Sequence, residues 1–119
     1  MVVRKEKRAF ERIALDNLSA SVEMMDIVKT VSIINGCEEG VCVNSADFPV
    51  GSVVRLIIDS REDQPDISLY CKVVWISKKK EPEKRSGLLL LNTNKILFRQ
   101  DLLSFARLID TARKQAAAV

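Results

Sequence analysis

The spacing of apolar residues changes once along this chain, and that change limits the fold more than any other feature. Up to about residue 91 the apolar positions recur every second residue in short runs, as in half-buried strands; from Phe98 they recur every third or fourth, as in an amphipathic helix. The clearest run places Ile67, Leu69, Cys71, Val73 and Trp75 on one face and Ser68, Tyr70 and Lys72 on the other. An earlier run alternates Leu18, Ala20, Val22 and Met24 with Ser19, Ser21 and Glu23, and a third puts Val54, Leu56 and Ile58 on one side of a strand over 52–58. The β-branched stretch 27–34 ends at Asn35-Gly36, a turn dipeptide, and short strands follow over 41–43 and 87–91. At the end of the chain Phe98, Leu102, Phe105 and Ile109 fall at i, i+4, i+7 and i+11. Thr93 or Asn94 is placed to cap that helix, and Arg113-Lys114 near its end suits the helix dipole. Many short strands followed by one helix predict a mainly β fold, a small antiparallel barrel or sandwich with the helix laid against it.

Charge divides the chain differently. The net charge of +3 resides entirely in the first twelve residues, where Arg4, Lys5, Lys7, Arg8 and Arg12 outnumber Glu6 and Glu11; the remaining 107 residues carry 14 charges of each sign. A basic arm on a neutral body points to a localised anionic partner rather than to diffuse attraction. The expected organisation is a basic arm over 1–12, a β body over 13–93 and a helix over 94–117, forming one domain. The apolar run 88–91 is far too short to span a bilayer, so the expectation is a cytoplasmic protein without membrane insertion.

Residue types exclude several chemistries. The chain has no histidine, and Cys37, Cys42 and Cys71 form no CxxC pair, which argues against zinc and against Ser- or Cys-based nucleophilic catalysis. Glu38-Glu39, Glu62-Asp63 and Asp66 lie in turn-like stretches where solvated charge is the ordinary state. No enzymatic role, no metal and no cofactor are expected. Cys42 and Cys71 read as small core residues. Trp75 shares the parity of a core anchor, although its place at the end of its strand leaves a position at the barrel rim open.

Two motifs remain. Lys7 precedes Arg8-Ala9-Phe10-Glu11-Arg12, an RxxxR spacing just before the first strand, and Asn35-Gly36-Cys37-Glu38-Glu39-Gly40 lies between the second and third. In this order, and together with 50–56, Lys72-Val73-Val74-Trp75 and Ser86-Gly87-Leu88, they resemble the PilZ domain, a bacterial receptor for cyclic di-GMP. The resemblance spans about residues 7 to 110. It implies a six-stranded antiparallel β-barrel of the split-barrel kind with a C-terminal amphipathic helix and a flexible N-terminal arm. It also implies that cyclic di-GMP binds at Arg8, Arg12, Asn35, Cys37 and Gly40, with Lys7 and Trp75 as additional contacts.

The chemistry agrees with that set. An arginine guanidinium forks onto guanine O6 and N7 or onto a phosphate, which the ammonium of lysine cannot match. Gly40 allows close approach of the backbone or a positive φ. Cys37 stands where the family has serine, and a thiol is the weaker hydrogen-bond donor.

The function implied is an effector that couples the second messenger to a protein partner, in motility, biofilm or exopolysaccharide control, by ordering the arm over the barrel. A second reading is a degenerate adaptor that contacts proteins without binding the nucleotide. A third, a small barrel binding nucleic acid, conflicts with a neutral body and with an aromatic content of only 5%, too low for stacking platforms. Monomer and homodimer are both compatible with the sequence, with Leu103 and Leu108 on an exposed face of the helix as the dimer surface.

Overall fold

The computed structural model describes residues 12–44, 46–59, 65–77 and 84–117. Six strands run β1 (Ile13–Met24), β2 (Ile27–Cys37), β3 (Gly40–Asn44), β4 (Val53–Ile58), β5 (Ile67–Ile76) and β6 (Arg85–Leu90); a single turn α1 (Asn94–Leu97) and the helix α2 (Arg99–Ala117) follow. All six strands pair antiparallel in a closed barrel of order β1-β2-β3-β6-β5-β4. Closure leaves no open sheet edge and hides one face of every strand, which is why the period of two dominates the sequence. Inward residues such as Val22, Ile33, Val43, Leu56, Leu69 and Val73 are fully buried, and Phe105 and Ile109 of α2 complete the same core.

α2 is anchored at its start by polar contacts to β5. Asp101 Oδ1 accepts the Ser68 backbone N–H at 3.0 Å. Asn94 is fully buried and does not cap the helix; its amide bonds both backbone groups of Tyr70, receiving the N–H at 2.9 Å and donating to the carbonyl at 2.8 Å. That contact extends the ladder where β6 ends. Thr93 sits at the N-cap position but makes no side-chain capping bond, and Phe98 breaks the helix into two pieces.

Other expectations shift for local reasons. β1 starts at Ile13, five residues before its visible alternation, because Asp16 and Asn17 adopt positive φ and shift the register between Ala14 and Leu18. The pair Asn35-Gly36 is not a turn: β2 continues to Cys37, and Glu38-Glu39 makes the connection to β3. Gly36 is instead a packing residue, since a Cβ there would lie 2.9 Å from Val41 Cγ1. Leu108 is not on an exposed helix face; it packs against the core, whereas Leu103 is 51% exposed.

Candidate functional site

The outer surface of the barrel around β3 carries Asn35, Cys37, Gly40 and Trp75, and two bulges put Asn35 and Trp75 there. A register shift between Ile33 and Asn35 takes β2 out of phase, so Asn35 follows an inward Ile33 yet pairs with Cys42, whose neighbours Val41 and Val43 point into the core. A second shift, between Val73 and Trp75, does the same in β5: Trp75 pairs with Gly87 rather than joining the inward row. Trp75 is therefore not a core anchor. Its indole lies over Gly87, where a Cβ would sit 2.1 Å from Nε1. Cys42 is likewise outside the core cluster although only 3% exposed, whereas Cys71 is inside it.

The pairings line up Asn35, Cys42, Gly87 and Trp75 as one row across β2, β3, β6 and β5. Cys37, Gly40, Leu89 and Lys72 form the next row. Small residues in the middle leave a shallow depression of about 80 Å³ lined by Arg12, Cys37, Glu39, Gly40, Trp75 and Gly87 among others. Gly40 is there for close approach and not for a positive φ, since a Cβ would lie 2.2 Å from the Leu88 carbonyl oxygen. Cys37 is buried, and its sulfur accepts the Glu39 N–H at 3.4 Å, bracing the turn. Asn35 Oδ1 is buried and has no hydrogen-bond partner among the described residues. Gly87, marked in the sequence only as part of the family resemblance, and Cys42, read there as a core residue, join the candidate row through strand pairing; a glycine inside a strand was the available signal.

Electrostatics follow the same geometry. Burial pushes the Cys42 thiol up, with Arg85 and Arg12 pulling it partly back. Burial alone pushes Cys71 up to about 12, an inert structural thiol. Glu38, in the turn beside the depression, is held below the ordinary carboxylate range chiefly by its hydrogen bonds from Arg113. Arg8 and Lys7, the other arm residues singled out, lie outside the described residues.

A larger groove of about 870 Å³ runs between the start of β1 and the C-terminal half of α2. Its one described cation, Arg107, shares it with Asp16 and Asp59, so it has no excess of positive charge for an anion. The smaller depression, lined by Arg12 and by Gly87 of the row that holds the unpartnered Asn35, is the better candidate on chemistry. Among the described residues no helix is long and apolar enough to cross a membrane.

The fold has solved relatives. The inhibitor of motility MotI/DgrA of Bacillus subtilis superposes with a TM-score of 0.67 at 18% identity over 93% of this chain and 52% of its own. The PilZ domain of Escherichia coli YcgR with c-di-GMP gives 0.68 at 12% identity over 93% and 95%, and YcgR in complex with c-di-GMP gives 0.66 at 15% over 94% and 50%. This chain thus spans about half the length of the MotI/DgrA and longer YcgR chains. No curated protein matches it by sequence. At such identities the superpositions establish the fold alone, but the profile of the PilZ domain family matches residues 4–106 directly, and the chain belongs to that family.

Proposed function

We propose that this domain is a cyclic di-GMP receptor that acts without catalysis, with the nucleotide seated over the Asn35–Cys42–Gly87–Trp75 row. The observation that carries the proposal is the buried, unpartnered Asn35 Oδ1 in the same strand row as Gly87, which with Arg12 lines the depression. An acceptor oxygen suits the N–H donors of a guanine edge, and the arginine suits its O6 and N7 or a phosphate. Trp75, half-buried over Gly87, offers a ring face or edge at the rim. The depression is far smaller than the roughly 300 Å³ at the lower limit of ordinary ligand pockets, so the ligand needs a cover. The arm supplies it: Arg8 and Arg12 close over the nucleotide, Lys7 adds charge, and Cys37 and Gly40 support the ligand from the turn. Ordering the arm changes the surface offered to a cytoplasmic protein partner, a population shift driven by differential affinity. Control of motility is the output that fits best, given that the structurally similar MotI/DgrA of Bacillus subtilis is an inhibitor of motility.

A second reading, a PilZ adaptor that contacts proteins without the nucleotide, is favoured by Cys37, whose sulfur is already engaged with the Glu39 N–H. Calorimetric titration with cyclic di-GMP separates the two. The receptor predicts saturable heat at micromolar concentrations and its loss in Arg8→Ala or Asn35→Ala; no heat at high micromolar nucleotide, or wild-type affinity in Arg8→Ala, sinks it.

A further inference from the structure

The turn that brings Cys37 and Gly40 to the site is tied on its other side to the far end of the chain. Arg113 donates from Nη1 to Glu38 Oε2 at 2.5 Å and from Nη2 to Oε1 at 3.0 Å, a two-pronged bridge between residues 75 positions apart. Both side chains are about one-third exposed, which preserves more of the attraction than a fully solvated pair retains. The fork also fixes the relative planes of the two groups, which a lysine would not do.

The bridge completes the attachment of α2. The front of the helix is held to β5 through Asp101 and Ser68, its middle is fixed by buried Phe105 and Ile109, and Arg113 joins its last turns to the β2–β3 connection. The connection therefore has two faces. Cys37, Glu39 and Gly40 line the depression, the Glu39 carbonyl accepts the Leu90 N–H at 2.8 Å, and Glu38 points the other way to α2.

We infer that Glu38 and Arg113 are positioning residues for the nucleotide site, holding the Cys37–Gly40 turn in its binding shape and carrying nucleotide occupancy to the C-terminal turns of α2. The inference rests on the receptor function proposed above. Two consequences follow from charge and linkage. Glu38 places a carboxylate next to a site meant for a dianion, and Arg113 neutralises it, so losing the arginine leaves a repelling charge that losing the glutamate does not. Coupling is also reciprocal: if the bridge favours nucleotide, nucleotide favours the bridge by the same factor.

The experiment titrates cyclic di-GMP into the wild-type chain and into Glu38→Gln, Arg113→Gln, the double variant and the reversed pair Glu38→Arg/Arg113→Glu. Thermal unfolding reports that each is folded, and hydrogen exchange across α2 is followed with and without nucleotide. Arg113→Gln is expected to weaken binding on the order of tenfold and Glu38→Gln by about threefold, within the usual range of coupling between sites. The double variant should match Glu38→Gln, the reversed pair should recover part of the loss, and nucleotide should protect the last turns of α2 in the wild type and in part in the reversed pair, but not in the single or double Gln variants. A merely structural bridge would lower stability in both single variants without this asymmetry. Wild-type heat with unchanged affinities in folded variants, or α2 exchange indifferent to nucleotide, overturns the inference alone; no wild-type heat overturns it together with the receptor function.

Discussion

Replacing Gly87 by alanine tests whether Trp75 truly lies on the outer floor of the barrel. The new methyl group would sit 2.1, 2.5 and 2.6 Å from indole Nε1, Cε2 and Cδ1. Ordinary contacts between such atoms are about 3.5–4.0 Å, so the ring must retreat by about 1.5 Å. The indole is half-buried near the end of its strand, so it is the part that yields while the β3–β6–β5 ladder holds. Forcing extra volume into a packed contact costs about 1–3 kcal/mol, and replacing a strand glycine returns about 0.5 kcal/mol of backbone entropy. The net loss is about 1–2 kcal/mol, a fall in Tm of about 5 °C for a domain of this size. Trp75 is the only tryptophan, so its emission reports the displacement directly: the spectrum should move to the red as the ring lifts into water. The decisive comparison is a double-mutant cycle by urea unfolding. In a Trp75→Ala background the clash is gone and Gly87→Ala should cost nothing or stabilise slightly; the same cost in both backgrounds would refute the placement of the indole.

Asn94→Ala should be more damaging, because it removes the partner of the Tyr70 N–H from a fully buried position while leaving the Tyr70 carbonyl its bond from Leu91. An orphaned buried donor plus lost packing amounts to about 2–3 kcal/mol, readable as a lower urea midpoint at unchanged m; a loss below about 0.5 kcal/mol would contradict the ladder role. For Glu38 the folded value lies below the ordinary 4.5, so the carboxylate is charged in both states above that pH and the stabilisation from Arg113 is complete there. As pH falls below 4.5 the unfolded chain takes up the proton first and that stabilisation drains away until the folded carboxyl also protonates. The stability difference between wild type and Glu38→Gln should accordingly shrink as pH is lowered from about 6 to about 3. A constant difference would mean that the bridge contributes nothing in solution.

Periodicity revealed the strands because burial is alternate along a sheet, and Val54, Leu56 and Ile58 or Ile67 to Val73 needed no further information, whereas the choice of a barrel over a sandwich came from the family resemblance. It failed wherever one extra residue entered a strand. Trp75 has the parity of Val73 and Asn35 that of Ile33, yet each lies just past a bulge and faces outward, and a bulge leaves no mark in a pattern of apolar and polar letters. Cys42 misleads for another reason: it is as buried as a core residue yet stands outside the core cluster. Asn35-Gly36 has the composition of a hairpin turn, but its glycine is required by the nearness of Val41. The Glu38–Arg113 bridge spans three-fifths of the chain, and no local rule pairs two such charges. The motif residues came into view through their order along the chain, while the row they form on the surface depends on strand pairing.

The pairing of β3 with β6 has a kinetic consequence. These strands lie more than forty residues apart, and the row from Asn35 to Trp75 crosses their seam, so the site does not exist in any state where the barrel is still open. Long-range closure of this kind comes late, after the hairpins that form locally. A ligand resting on that seam would find nothing to hold in the unfolded chain or in an unclosed transition state, and it would make itself known by slowing unfolding while leaving the folding rate untouched. Occupancy of the site is in that sense a lock on a finished barrel and no guide to building one.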